Sequence, residues 1–187
     1  MLDGTNLYLI GMMGAGKSTI AKQLAPRLGY QFIDTDNLIE SYVGMEIPEI
    51  FAAHGEVEFR TIESQVLAQV SSFTRLAIAT GGGIVLKASN WSHLRDGIVV
   101  WLDVDLEVLF QRLLSNSAQS PNQNKRPLLN TENPFATLQT IYQQRQRLYA
   151  QADIRLEISA EDHLNQVGDR LLEVLAERIE INRLKSK

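Results

Sequence analysis

The sequence predicts an α/β fold, a single domain in which helices wrap a parallel sheet. Three observations predict it. Short apolar runs alternate with longer amphipathic ones along the chain, the pattern of strands joined by helical crossovers. The first run, Leu7-Tyr8-Leu9-Ile10, ends at a glycine and passes through a Gly-rich turn into helical periodicity. The chain has 187 residues, the length of one domain, and a chain of this size buries about 70% of its unfolded surface without disulfide or metal staples.

The elements follow in order. Leu7 to Ile10 reads as a buried strand ended by Gly11. Ser18 to Leu28 reads as a helix, with Ile20, Ala21, Leu24, Ala25 and Leu28 on one face. Pro26 within it predicts a kink or an early end. Gln31 to Asp34 is a second strand, and Asn37 to Tyr42 and Ile47 to Val70 are mostly helical, with Pro48 and Gly55 as interruptions. Leu76 to Ala79 is a third strand, followed closely by Gly81-Gly82-Gly83, and Ile98 to Leu102 is a fourth. Leu106 to Leu114 and Pro134 to Tyr149 read as helices. Ile154 to Ile158 alternates as an edge strand does, and Asp162 to Ile181 closes the chain as a helix. The polar stretch Ser115 to Asn124 has no apolar period. It reads either as a surface loop or as a mobile lid.

Composition removes several function classes. Apolar residues make up 44% and charged residues 21%, as in ordinary globular proteins. There is no cysteine, which excludes disulfide scaffolds, thiolate metal sites and cysteine nucleophiles. A net charge of −4 argues against a general nucleic-acid binder. No apolar run reaches the ~18 residues of a membrane span. The start, Met1 to Asn6, lacks the basic and apolar regions of a signal peptide, so a cytoplasmic protein is expected unless a leader was trimmed. His54, His93 and His163 lack metal-ligand spacing. The composition also fits a monomer.

Gly11-Met12-Met13-Gly14-Ala15-Gly16-Lys17-Ser18 fits G-x-x-x-x-G-K-[ST] at every fixed position, after a strand and before a helix. Glycines let backbone N–H groups turn inward around an anion, and the helix that follows adds its positive end. Lys17 supplies charge to the β- and γ-phosphates, and the Ser18 hydroxyl is placed to ligate Mg²⁺. The chain has no N-K-x-D guanine signature, which favours ATP and phosphoryl transfer to a small acceptor.

Asp34-Thr35-Asp36 ends the second strand. If the segment stays extended, both carboxylates point into one crevice at the strand's carboxyl end. One would hold Mg²⁺ through water, and the other would accept the proton of an attacking hydroxyl. Arg60 lies among Glu56, Glu58 and Glu63, either as part of a charged helix face or as a fork oriented by Glu63 toward a carboxylate or phosphate. Thr80-Gly81-Gly82-Gly83 lets backbone approach a ligand closely. Lys125-Arg126-Pro127 could bring cations over a nucleotide, and Arg145 and Arg147 on a late helix could be plain surface residues. Asp103, after Ile98 to Leu102, reads like a second Mg²⁺-holding aspartate.

These motifs together resemble the shikimate kinase family, from about Leu7 to the last helix. The similarity rests on Gly11 to Thr19, on Asp34-Thr35-Asp36, and on Ile50-Phe51 followed by Gly55-Glu56-Val57-Glu58-Phe59-Arg60 and Glu63. It continues in Thr80 to Gly83, in Arg126-Pro127-Leu128-Leu129, and in Arg145 with Tyr149 four residues on. The resemblance implies a P-loop kinase fold with a five-stranded parallel sheet ordered 2-3-1-4-5, spanning 1–187. It implies a lid at about 113–127 and a substrate-binding helical region at about 35–63. It implies ATP-dependent phosphorylation of the shikimate 3-hydroxyl, with Mg²⁺, in aromatic amino acid synthesis. By position, Gly14, Ala15, Gly16, Lys17, Ser18 and Thr19 would bind ATP, Arg112 would lie against the adenine, and Arg126 would close over the phosphates. Asp36, Arg60, Gly81, Gly82, Gly83 and Arg145 would bind shikimate, with Asp36 as base or orienting acceptor. Asp34 would hold Mg²⁺ through water. In this family the strand beside the P-loop ends in the glycines, which leaves Asp103 without a metal role. The chain departs in the long segment between Arg112 and Arg126 and in Arg147, where the family often has proline. Another kinase of the same fold, for gluconate or a nucleotide, or a paralogue without catalysis, are the competing readings.

Overall fold

A computed structural model describes residues 2–118 and 131–185. Five parallel strands form one sheet in the order β2-β3-β1-β4-β5. They are β1 (Leu7–Ile10), β2 (Gln31–Asp34), β3 (Leu76–Ala79), β4 (Ile98–Val104) and β5 (Ile154–Ile158). The helices are α1 (Lys17–Leu28), α2 (Thr35–Val43), α3 (Ile47–Ser71), α4 (Asn90–Leu94), α5 (Leu106–Ala118), α6 (Pro134–Tyr149) and α7 (Leu164–Lys185). The central strands β1 and β3 are buried along their whole length, as continuous apolar runs must be when helices cover both faces. β5 at the edge alternates buried and exposed.

Local chemistry explains where the elements differ from the sequence expectation. α1 runs past Pro26 without ending there. The proline is exposed in the last turn, and Gly29 closes the helix in the left-handed region, its N–H on the carbonyls of Ala25 and Pro26. Pro48 does not interrupt α3 but starts it, where a missing N–H costs nothing. Gly55 does interrupt: its φ of 77° breaks α3 into two helical pieces. α5 reaches Ala118, beyond the expected Leu114, so the expected lid start at 113 falls within helix. Residues 119–130, which include Arg126, lie outside the described residues.

Because every strand is parallel, all carboxyl ends emerge along one edge. β1 leads there into the Gly-rich loop, β2 ends at Asp34, β3 at Thr80 and the three glycines, and β4 near Asp103. Trp101 of β4 stacks on Tyr149 of α6 with ring centroids 5.8 Å apart, which brings the last turn of α6 to that edge.

Candidate active site

The Gly-rich loop has the form of a phosphate cradle. Gly11, Gly14 and Gly16 have φ of 137°, 80° and 94°, values that side chains other than glycine rarely adopt. At Gly11 a Cβ would also stand 2.6 Å from the Leu102 carbonyl oxygen. Lys17 is buried, and its Nζ donates to the carbonyls of Gly11 at 2.9 Å and Met12 at 2.8 Å. Burial lowers its pKa to about 8, against the pull of Asp36 and Asp34. A bound polyphosphate would restore the lost solvation of this ammonium.

Asp34 and Asp36 do converge, though not by strand alternation. Asp34 is the last strand residue and caps α2, its Oδ1 accepting from the N–H groups of Asp36 at 3.0 Å and Asn37 at 3.4 Å. Its Oδ2 accepts from the Ser18 hydroxyl at 2.6 Å. Asp36 is therefore already in the first helical turn. Burial raises its pKa to about 6, helped by Asp34, Glu63 and Glu40 and opposed by Lys17. Ser18 and Asp34 together form an adjacent hydroxyl–carboxylate pair, hard oxygen donors of the kind Mg²⁺ takes. Among the described residues no cluster of three or more acids or histidines offers a fuller cage.

The three glycines provide room, not unusual φ. A Cβ on Gly81 would lie 2.6 Å from Asp36 Oδ1 and 3.0 Å from Glu63 Oε1. One on Gly83 would collide with the Arg60 guanidinium, and one on Gly82 would press on the Met13 amide at 3.4 Å. Arg60 makes the pairs of a charged helix face, with Glu56 at 3.3 Å and with Glu63, and the second of these also orients its guanidinium. Its Nη1 donates to both oxygens of Glu63, at 3.0 and 2.9 Å, and Glu63 is only 1% exposed. Arg145 Nη1 donates to the Gly82 carbonyl at 3.1 Å, so this arginine faces the crevice and not the open surface. Asp36, Arg60 and Arg145 thus surround one glycine loop beside the phosphate cradle.

Two supports come from residues of the quoted motifs, but their contacts are not legible in the sequence. The Thr35 hydroxyl accepts from the Gly81 N–H at 3.1 Å, and the buried Tyr149 hydroxyl donates to the Gly82 carbonyl at 2.6 Å. Both are long-range contacts that only the assembled sheet creates. Asp103 is engaged by other side chains. It binds Arg155 at 2.7 Å and accepts from the Tyr142 hydroxyl at 2.9 Å. Arg112 lines a cleft of about 390 Å³ with Gln111, Ser115 and Ala160.

Comparison with known proteins agrees with this geometry. Residues 13–176 match the family model described as shikimate kinase. A shikimate kinase of Synechococcus elongatus is 51% identical over 174 residues, covering 93% of this chain and 88% of that protein. The solved shikimate kinase of Acinetobacter baumannii, in complex with shikimate, superposes with a TM-score of 0.84 at 37% identity, covering 93% of this chain and 94% of that one. A gluconokinase from Sinorhizobium meliloti covers 100% of both chains with a TM-score of 0.62, but at 17% identity it shares the fold alone.

Proposed function

The chain belongs to the shikimate kinase family, and from that membership we propose how its residues divide the reaction. The enzyme transfers the γ-phosphoryl group of ATP to the 3-hydroxyl of shikimate, giving shikimate 3-phosphate for aromatic amino acid synthesis. One observation carries the assignment of roles: Asp36, Arg60 and Arg145 close around Gly81 to Gly83 within reach of the cradle that holds Lys17.

Asp36 contacts the ring hydroxyls and accepts the proton of the attacking 3-hydroxyl. Its raised pKa makes it a better base than a solvated carboxylate while leaving it ionised at pH 7. Arg60 and Arg145 bind the shikimate carboxylate, and Gly81, Gly82 and Gly83 line the ring. Gly14 to Thr19 wrap the ATP phosphates, and Lys17 meets the charge that develops on the transferred group. Ser18 and, through water, Asp34 would hold Mg²⁺, which when bound neutralises charge on the β- and γ-phosphates. Arg112 lies against the adenine. Arg126 lies outside the described residues, and its role at the γ-phosphate is proposed from family membership alone. Residues 35–63 carry most of the acceptor side within a single domain.

The enzyme acts as a cytoplasmic monomer on small molecules, without nucleic-acid or membrane partners. The net charge of −4 supports the absence of a nucleic-acid partner. A coupled ADP-release assay with shikimate, gluconate and nucleoside monophosphates in parallel tests the function. Shikimate alone should drive ADP release, and its failure to do so would overturn the reading.

A further inference from the structure

The corner between β5 and α7 is more heavily tied than a connecting loop requires. Asp162 Oδ2 accepts from the Ser159 N–H at 2.8 Å and from the Ser159 hydroxyl at 3.1 Å. Its Oδ1 accepts from Arg170 Nη1 at 3.1 Å. Arg170 then reaches back with Nη2 to the Glu157 carbonyl, closing the corner onto the end of β5. The Ile158 carbonyl is held by the Asp105 N–H at 3.0 Å. A half-exposed ion pair alone contributes little. Here, however, one carboxylate fixes backbone and side chain on both sides of Ala160.

That corner has a position relative to the phosphate cradle. Leu164, first residue of α7, packs on the cradle so closely that a Cβ on Gly16 would stand 2.7 Å from its Cδ2. Across the cradle, Leu109 and Leu113 of α5 pack on Gly14. α5 and the β5–α7 corner therefore flank the loop, and the cleft between them is lined by Arg112 on one wall and Ala160 on the other. Arg112 Nη1 is buried there with no hydrogen-bond partner among the described residues. Asp162 also acts on Arg112 through space, its charge opposing the loss of proton affinity that burial causes. A flat, neutral ring joined to phosphates in the cradle would lie between the guanidinium plane and the backbone at Ala160.

We propose that Asp162, braced by Arg170, is a positioning residue for the nucleotide base: it holds the Ser159–Ala160 backbone at the spacing from Arg112 that a purine ring fills. This rests on the reading that Arg112 lies against the adenine. Asp162 touches neither substrate and acts only through the wall it holds. The corresponding effect is on the base more than on the phosphates, since the cradle's own backbone runs from Gly11 to Ser18 and the corner meets it through the Leu164 side chain at Gly16.

The test compares two ligands of one site in the full-length enzyme. ADP and inorganic tripolyphosphate are titrated by calorimetry into the wild type and into Asp162→Ala, Asp162→Asn, Arg170→Ala and Arg112→Ala. Asp162→Ala should weaken ADP about tenfold, raise KM for ATP to match, and leave tripolyphosphate affinity and kcat at saturating ATP within about twofold. Asp162→Asn, which still accepts from Ser159, should recover most of the ADP affinity. Arg170→Ala should fall between them. Equal weakening of ADP and tripolyphosphate, or unchanged ADP affinity in Asp162→Ala while Arg112→Ala loses it, overturns the proposal alone. Unchanged ADP affinity in Arg112→Ala overturns the base-site reading itself, and the proposal with it.

Discussion

The two halves of the cleft are built differently. On the acceptor side and at the cradle the charges are already partnered, Lys17 buried and Arg60 and Arg145 half-buried. Arg60 lies on Glu63, Arg145 on the Gly82 carbonyl, and Lys17 on the carbonyls of Gly11 and Met12. On the base side Arg112 has a buried nitrogen with no hydrogen bond among the described residues, and the facing corner is held by the half-exposed Asp162–Arg170 pair. The first half fixes direction before substrate arrives, so little reorganisation is left for the chemical step. The second half offers grip. Damage to the acceptor side should therefore appear in kcat and in shikimate affinity, and damage to the base side in nucleotide affinity alone.

The largest effect expected is at Asp36. Asp36→Asn keeps the shape and removes the proposed base, which should lower kcat by about 10²–10⁴-fold. The wild type should also lose kcat/KM for shikimate as pH falls through about 6, the value at which Asp36 takes up its proton. Rate measurements from pH 5 to 8 check both points. An acidic limb that persists unchanged in the residual activity of Asp36→Asn would assign the titration to another group.

Next come the arginines and the glycine that makes room for one of them. Arg60→Lys and Arg145→Lys lose the planar fork that grips a carboxylate, and each should weaken shikimate about tenfold while ATP binding stays. Gly83→Ala should act in the same way with both arginines intact, because its methyl group would occupy the space of the Arg60 guanidinium. Calorimetry with each substrate separates the cases. A parallel loss of ATP affinity in any of these variants would show that the two halves are not independent.

The sequence showed some of these features clearly and hid others, for physical reasons. The cradle was legible because each fixed glycine meets a backbone demand that no other residue satisfies, as at Gly11 against the Leu102 carbonyl. The strands were legible because buried parallel strands must be continuously apolar. Asp34-Thr35-Asp36 was legible as a pair of carboxylates but not in its geometry. An aspartate ending a strand and one capping a helix look alike, and the cap on Asp36 and Asn37 decided it. Pro26 and Pro48 misled because position within a helix sets a proline's cost more than its presence does. Asp103 reads locally like a metal ligand, a role the family resemblance already denies it, and its oxygens accept from Arg155 and Tyr142. Those partners, like Tyr149 on Gly82, lie 39 to 67 residues away, beyond the reach of any local pattern.

The smallest effect is thermodynamic, and it sharpens the contrast between the halves. Asp36 is ionised at neutral pH in a place that resists the charge: its pKa stands at about 6 against an ordinary 3.8. Between those values the folded protein binds more protons than the unfolded chain, so stability falls as pH rises through that window. The contribution is fully present below about pH 4 and gone above about pH 6. Removing the charge should relieve the burden. Asp36→Asn, nearly inactive, should melt higher than the wild type at pH 7.5 by roughly 3 °C, and the difference should shrink toward pH 4. Glu63, also pushed upward by burial, adds wild-type pH dependence of the same sign that this substitution leaves in place. The base side supplies the control. Burial lowers the pKa of Arg112, but an arginine stays charged throughout this range, so any shift in Arg112→Ala should be the same at both pH values. Scanning calorimetry of the three proteins at pH 4, 6 and 7.5 decides it. A gap for Asp36→Asn that does not change with pH would mean that the carboxylate is not strained in the empty site, and that the acceptor half carries no stored electrostatic cost.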